Sequence, residues 1–92
     1  MIVRISGEGQ YELDDDKREE LNGLERKVLD DVEQGRADAF PPAYAALLDD
    51  VRSGRRVADD ELVPSDVILP PADITFAEAG REFTGEGLIP GS

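Results

Sequence analysis

Along residues 1–13, apolar side chains alternate with polar ones in two short runs. This period of two is typical of strands with one buried face. Gly7-Glu8-Gly9 separates the runs and suits a tight turn. The pattern therefore predicts a β-hairpin over 1–13. Because a lone hairpin is marginally stable in water, further strands or a covering helix are required.

Residues 14–54 change to the helical spacing of three and four, which predicts two amphipathic helices. Asp16 and Glu19 have the spacing of a capping box for the first helix, and Gly35 can end it. Pro41-Pro42 fits the first turn of the second helix, where backbone donors lack intrahelical partners. The short connection makes the helices an antiparallel pair. The expected buried stripes are Leu21, Leu24, Val28, Leu29 and Val32, and then Phe40, Tyr44, Leu47, Leu48 and Val51.

The tail, residues 58–91, mixes acidic residues with short apolar runs that end in prolines. It holds eight acidic residues and one basic residue, Arg81. A disordered acidic tail would lack the apolar runs, and a long helix would lack the prolines. Val67-Ile68-Leu69 lies between Pro64 and Pro70, which predicts a brief edge strand or an extended segment.

A short third helix is predicted within the tail. Thr75 and Glu78 have the spacing of a capping box, so the helix should run from about Phe76 to Phe83. A glycine-bearing turn and a terminal strand-like piece at 88–90 follow. The predicted fold is one α+β domain over 1–92: an N-terminal hairpin at 1–13, an antiparallel helix pair at 14–54, and a tail at 58–91 with an extended proline-bounded segment, a short third helix and the strand-like piece.

Composition narrows the functional classes. The chain has no cysteine, which excludes disulfides and thiolate chemistry, and no histidine, the commonest general base and metal ligand. We therefore expect no enzymatic activity and no cofactor. A net charge of −12 on 92 residues disfavours binding to nucleic acid and anionic lipid, because both require basic side chains.

We expect a cytoplasmic protein without membrane insertion. No apolar run follows a basic start at the N-terminus, so no signal peptide is visible. The longest uncharged run, 39–48, has about half of the ~20 residues that a transmembrane helix needs, and it contains Pro41-Pro42.

The acidic runs, such as Asp14–Asp16 and Asp59–Glu61, raise the question of a site for calcium or magnesium. An EF-hand loop cannot be written from Asp14, since Glu19 occupies the position that requires glycine. Helix caps and solvated surfaces account for these runs. We therefore expect no metal site.

The basic residues Arg52, Arg55 and Arg56 form one cluster around the C-terminal end of the second helix. They could hold an acidic partner or pair within the chain. Internal pairing with the acidic segment that begins at Asp59 is the favoured interpretation, because cations at a helix C-terminus are expected in any case.

Two apolar triplets are the candidate partner-binding residues. Short, proline-bounded apolar segments can receive a helix or strand of a partner. They can instead fill the open side of the hairpin–helix core. The structural interpretation is slightly favoured, and the sequence leaves both open. The triplets are Leu62, Val63 and Pro64, and Leu88, Ile89 and Pro90.

Three sequence blocks resemble a known family. They are M-I-V-R-I-S-G-E-G-Q-Y-E-L at 1–13, D-D-E-L-V-P-S-D-V-I-L-P-P-A-D-I-T at 59–75 and G-E-G-L-I-P-G at 85–91. Together they resemble the PspA-associated protein family, PspAA. The resemblance implies a bacterial or archaeal cytosolic protein that works with a phage-shock-protein-A-like partner, a long coiled-coil protein at the inner face of the cytoplasmic membrane, in the envelope stress response. The family offers no catalytic residues.

The expected function is therefore a non-enzymatic adaptor or regulator that associates with a PspA-like coiled-coil protein. Recruitment to the inner face of the membrane would follow from that partner. One alternative is an acidic DNA-mimicking antirepressor that binds a transcription factor, since a charge of −12 can imitate phosphate. A less favoured alternative is a divalent-cation-dependent enzyme. The sequence leaves the oligomeric state open.

Overall fold

The computed structural model describes residues 1–83 and 87–89. The part it describes is an α+β fold, as predicted, with four strands and three α-helices. A short 3₁₀ turn, Asp15–Lys17, leads into the first helix. In chain order the elements are β1 (Ile2–Ile5), β2 (Gly9–Glu12), α1 (Arg18–Glu33), α2 (Phe40–Arg52), β3 (Arg55–Arg56), β4 (Val67–Leu69) and α3 (Phe76–Glu82).

The strands form one sheet in the order β3-β2-β1-β4. β1 and β2 are the predicted hairpin, with Ile5 opposite Gly9. β4 runs parallel to β1 at one edge, so the Val67–Leu69 run is an edge strand rather than an irregular segment. β3 adds the fourth strand beside β2. The hairpin thus receives the additional strands that its stability requires.

Both amphipathic helices pack on one face of the sheet. The second predicted stripe is confirmed, because all of its residues, from Phe40 to Val51, are buried. In the first stripe Leu21 and Val28 are buried and the other members are partly buried. The same face of α1 also buries Glu25 and Asp31, which the hydrophobic pattern did not predict. Strand residues such as Val3 belong to the same core.

The predicted capping box at Asp16 is wrong, whereas the predicted helix end is confirmed. Asp16 lies inside the 3₁₀ turn, and no side chain caps this turn or α1. The backbone N–H of Lys17 donates to Asp14 O at 3.0 Å, so a backbone turn supplies the helix entry. At the other end Gly35 has φ +70°, which glycine adopts at low cost.

The third helix begins as predicted and ends one residue earlier, at Glu82. Its capping box is complete: Glu78 N–H donates to Thr75 Oγ1 at 3.2 Å, and Thr75 N–H donates to Glu78 Oε1 at 3.0 Å. Aromatic contacts then dock the helix on α2. The ring centroids of Tyr44 and Phe83 lie 5.4 Å apart with an edge-to-face geometry.

The predicted strand-like piece at 88–90 is wrong within the described residues. Leu88 and Ile89 pair with no strand; their backbone N–H groups bond to the carboxylate of Glu25 instead. A side-chain acceptor therefore replaces the backbone partner that a strand would need. Residues 84–86, which include most of the predicted turn, and Pro90 lie outside the described residues.

Candidate interaction surface

The residues from 58 to 66, which we call the acidic crossing, lie over the face of the sheet that the helices leave free. Gln10 points to this outer face, because Tyr11 beside it belongs to the core. The Gln10 side-chain amide donates to Val63 O at 3.0 Å and to Ser65 Oγ at 2.8 Å. Gln10 is buried as a result. Its two hydrogen bonds hold the acidic crossing against the sheet.

A second attachment holds the beginning of the acidic crossing. The guanidinium of Arg55 lies 3.0 Å from Glu12 Oε1 and 3.2 Å from Glu61 Oε1. The Glu61 carboxylate also accepts the backbone N–H of Ala58 at 3.3 Å. The hydrogen bonds from Arg55, followed by that from Ala58, lower the pKa of Glu61. The crossing is therefore fixed on both sides of Leu62.

The basic cluster pairs within the chain, as the favoured interpretation predicted. Besides the Arg55 bonds, Arg52 donates to both carboxylate oxygens of Glu8, at 2.7 and 2.8 Å. This contact, helped by the hydroxyl of Tyr11, lowers the pKa of Glu8 to about 2. Arg56 stacks over the Tyr11 ring, 5.5 Å from its centroid. These arginines thus join the hairpin, α2 and the acidic crossing.

The first predicted triplet is exposed. Leu62 is 96% exposed, Val63 is 36% exposed, and Pro64 is also classed as exposed. Ile68, on the outer face of β4, is 58% exposed. In the part of the chain that the structure describes, the exposed large apolar side chains are those of Leu62, Val63 and Ile68. They all fall between residues 62 and 68. Such local exposure is a feature of interaction surfaces.

Exposed carboxylates come shortly before Leu62 in the chain. Asp59 and Asp60, which directly precede Glu61 and Leu62, are exposed, and the Asp59 side chain is 100% exposed. Asp59 has one weak ion pair, at 4.0 Å from Arg56. We define the outer patch as Leu62, Val63 and Ile68 with the carboxylates of Asp59 and Asp60.

The second predicted triplet is placed differently. Ile89 is 2% exposed and belongs to the core, and Leu88 packs partly buried against it. The Glu25 carboxylate accepts their backbone N–H groups, from Leu88 at 2.6 Å and from Ile89 at 3.1 Å. These two residues therefore pack in or against the core and do not form a free surface. Pro90 lies outside the described residues.

Glu25 is the residue that sequence reasoning missed. Burial raises its pKa, and the hydrogen bonds from Leu88 and Ile89 only partly oppose this effect. Gly87 permits the close approach: it has φ +87°, and a Cβ there would lie 2.6 Å from Glu25 Oε1. The sequence signal for the burial of Glu25 is its position four residues after Leu21, because residues at this helical spacing share one face, and here that face is the core face.

A groove of about 230 Å³ separates the edge strand β4 from α3. Its lining includes Ile68, Pro71 and Ile74, with Glu78 and Arg81 beside them. Ile68 therefore borders both the groove and the outer face of the sheet. This position extends the apolar surface around the edge of the sheet.

Neither a bilayer-spanning helix nor a metal-binding group of three or more acidic residues occurs within 1–83 and 87–89.

Comparison with known proteins identifies a family for this chain. The family model described as PspA-Associated protein, PspAA, matches residues 1–91. No curated protein and no solved structure matches the chain. The family match covers the hairpin, both long helices, the acidic crossing and the tail. The chain therefore belongs to the PspAA family of PspA-associated proteins.

Proposed function

We propose that this protein is a non-enzymatic adaptor or regulator that associates with a PspA-like coiled-coil protein in the cell-envelope stress response. The observation that carries the proposal is the family match over residues 1–91, because the family is described by its association with PspA. The protein acts in the cytoplasm, and its partner brings it to the inner face of the membrane. Its charge of −12 disfavours direct adhesion to anionic lipid, so the partner supplies the membrane contact.

The hydrogen bonds that the buried polar side chains make support a binding role. In the described residues these are Gln10, Glu25 and Asp31. Gln10 holds the acidic crossing, and Glu25 holds the tail. Asp31 accepts from Lys27 at 2.6 Å and from Arg36 at 3.2 Å, which keeps its pKa low. Each of these three buried side chains thus has hydrogen-bond partners within the chain, while Leu62 in the outer patch is 96% exposed.

Size-exclusion chromatography with the PspA-like protein of the same organism tests the proposal. At about 150 mM salt, where charges are screened beyond ~8 Å, we expect the two proteins to elute together or the PspA assembly to change size. Affinity should fall as salt increases, because the acidic surface contributes to encounter. Separate elution with an unchanged PspA assembly would contradict the proposal.

Added duplex DNA provides the specificity control for the same experiment. The complex should be insensitive to DNA, since the proposed contact is with a coiled coil and not with a DNA-binding surface. Binding to a transcription factor that DNA competes away would favour the antirepressor alternative instead.

A further inference from the structure

We propose that the outer patch is the surface that docks on a helix of the partner, and that this helix presents basic side chains beside apolar ones. The inference rests on the proposed function and specifies its contact. It assigns docking to Leu62 and Val63 of the first triplet and to Ile68, and it excludes Ile89, which belongs to the core.

Ile68 and the backbone of Val63 lie on the outer face of the sheet. β4 is parallel to β1 in a register that places Ile68 beside Arg4, on the face opposite the core residues Val67 and Leu69. Gln10 holds Val63 over the same outer face. The helices α1 and α2 pack on the other face. A partner can therefore contact the patch without displacing either helix.

The patch is preorganised. Leu62 follows Glu61, which Arg55 holds, and precedes Val63, whose carbonyl accepts from Gln10. The backbone on both sides of this exposed leucine is thus ordered in the free protein. Binding then loses little backbone entropy, which favours affinity for a given contact area.

The charge of the patch selects the chemistry of its occupant. Asp59 and Asp60 are exposed and precede Leu62 by three and two positions, and the neighbouring Arg55 is engaged by Glu12 and Glu61. The exposed Arg4 lies beside Ile68, so the acidic part of the patch is the part around Leu62. Lysine or arginine side chains next to an apolar anchor complement this arrangement. A second copy of the chain is disfavoured, because two such acidic patches would repel each other.

The shape of the edge favours a helix over an added strand. β4 has three residues, and Pro64 and Pro70 lie on either side of it. Short, proline-bounded edges resist pairing with another strand. A coiled-coil partner offers long exposed helical faces, on which basic and apolar residues can recur at spacings of three and four. The occupant is therefore a helical face.

The decisive variant is Leu62→Asp, compared with Ala46→Asp on the exposed face of α2. Both substitutions add one carboxylate at an exposed site, so both proteins should keep the thermal melting curve of the parent. By calorimetry, Leu62→Asp should raise the Kd for the PspA-like protein at least about tenfold, because it removes a central apolar anchor. Ala46→Asp should leave Kd within about twofold.

Charge removal provides a second test. Asp59→Asn with Asp60→Asn should weaken binding and flatten its dependence on salt. The control is the double variant Glu33→Gln with Asp38→Asn, which removes the same number of charges from exposed positions near the connection between α1 and α2. It should change neither the affinity nor its dependence on salt. An equal loss in both double variants would overturn the assignment, because it would show that only the total charge matters.

Because the chain has no cysteine, a single introduced cysteine can be labelled with a dye that reports on the surface around it. An environment-sensitive dye attached after Leu62→Cys should shift to the blue when the PspA-like protein binds, and the same dye after Ala46→Cys should not. If the parent binds and Leu62→Asp binds equally well, the docking surface is wrong while the proposed function stands. If the parent does not bind the PspA-like protein, both the docking surface and the proposed function are wrong. Loss of a homodimer in Leu62→Asp would show that a second copy occupies the patch and would overturn the proposal.

Discussion

The carboxylate of Glu25 accepts the backbone N–H of Ile89 at 3.1 Å, across 64 positions of sequence. The same carboxylate accepts the N–H of Leu88, so one side chain of α1 satisfies two backbone donors of the tail. Ile89 fills the core between these elements. The contact explains why an ionisable residue lies on the apolar face of α1.

Replacement of Glu25 should destabilise the fold. Glu25→Ala leaves the N–H groups of Leu88 and Ile89 without their acceptor in a buried setting, at a cost of about 1–3 kcal/mol in the free energy of unfolding. Urea unfolding followed by circular dichroism measures this change. Glu33→Ala, at an exposed position on the same helix, should stay within about 0.5 kcal/mol of the parent. Equal effects of the two substitutions would contradict the structural role of Glu25.

The raised pKa of Glu25 predicts a loss of stability towards neutral pH. A carboxyl group whose pKa is higher in the folded state than its ordinary value of 4.5 binds its proton more tightly when folded. Its contribution is complete below the unfolded pKa and declines as the pH rises through the folded pKa. The melting temperature of the parent minus that of Glu25→Gln should therefore decrease as the pH rises above 4.5. A constant or rising difference would disprove this.

Glu8 predicts the opposite trend at acidic pH. Arg52 lowers its pKa from 4.5 to about 2, so its stabilising effect is present above pH 4.5 and is lost as the pH falls towards 2. Glu8→Gln should reduce the acid-induced loss of stability in this interval. Chemical unfolding at several acidic pH values measures it, with Glu33→Gln as a control for the removal of one carboxylate. A parent-like acid profile in Glu8→Gln would argue against the Arg52 contact.

The two predicted triplets should respond differently to truncation. Ile89→Ala removes a buried side chain and should cost about 2–5 kcal/mol, because it leaves a cavity in the core. Leu62→Ala truncates an exposed side chain and should change stability by less than about 0.5 kcal/mol. Thermal or urea unfolding of the two variants compares them directly. Similar losses would mean that Leu62 is packed in solution.

Gln10 should control the order of the acidic crossing. Gln10→Ala removes the bonds to Val63 O and Ser65 Oγ, with a loss of about 1 kcal/mol per bond at most. Hydrogen–deuterium exchange should become faster in peptides that cover 58–66. Gln34→Ala, at an exposed position after α1, should leave exchange there unchanged. Unchanged exchange in Gln10→Ala would show that other contacts hold the crossing.

Local patterns predicted the elements whose causes are local. The helical stripe from Phe40 to Val51, the position of Pro41-Pro42 in the first turn of α2, and the Thr75–Glu78 capping box all agree with the structure. These features depend on side-chain spacing or on backbone groups within one turn. The capping box predicted at Asp16 failed, because a backbone 3₁₀ turn took its place.

The sequence by itself determined the α+β class, the hairpin and the helices, since periodicity and capping act over short distances. It left Val67–Leu69 as an edge strand or an extended segment, and the pairing with β1 decided for the strand. Only the tertiary structure decided which apolar triplet is free. Leu62 is exposed because Gln10 and Arg55, which lie elsewhere in the chain, hold the backbone around it, and Ile89 is buried because Glu25 on α1 binds the tail. Contacts between residues so distant in sequence leave no periodic signal, so burial at these sites emerges only when the elements pack together.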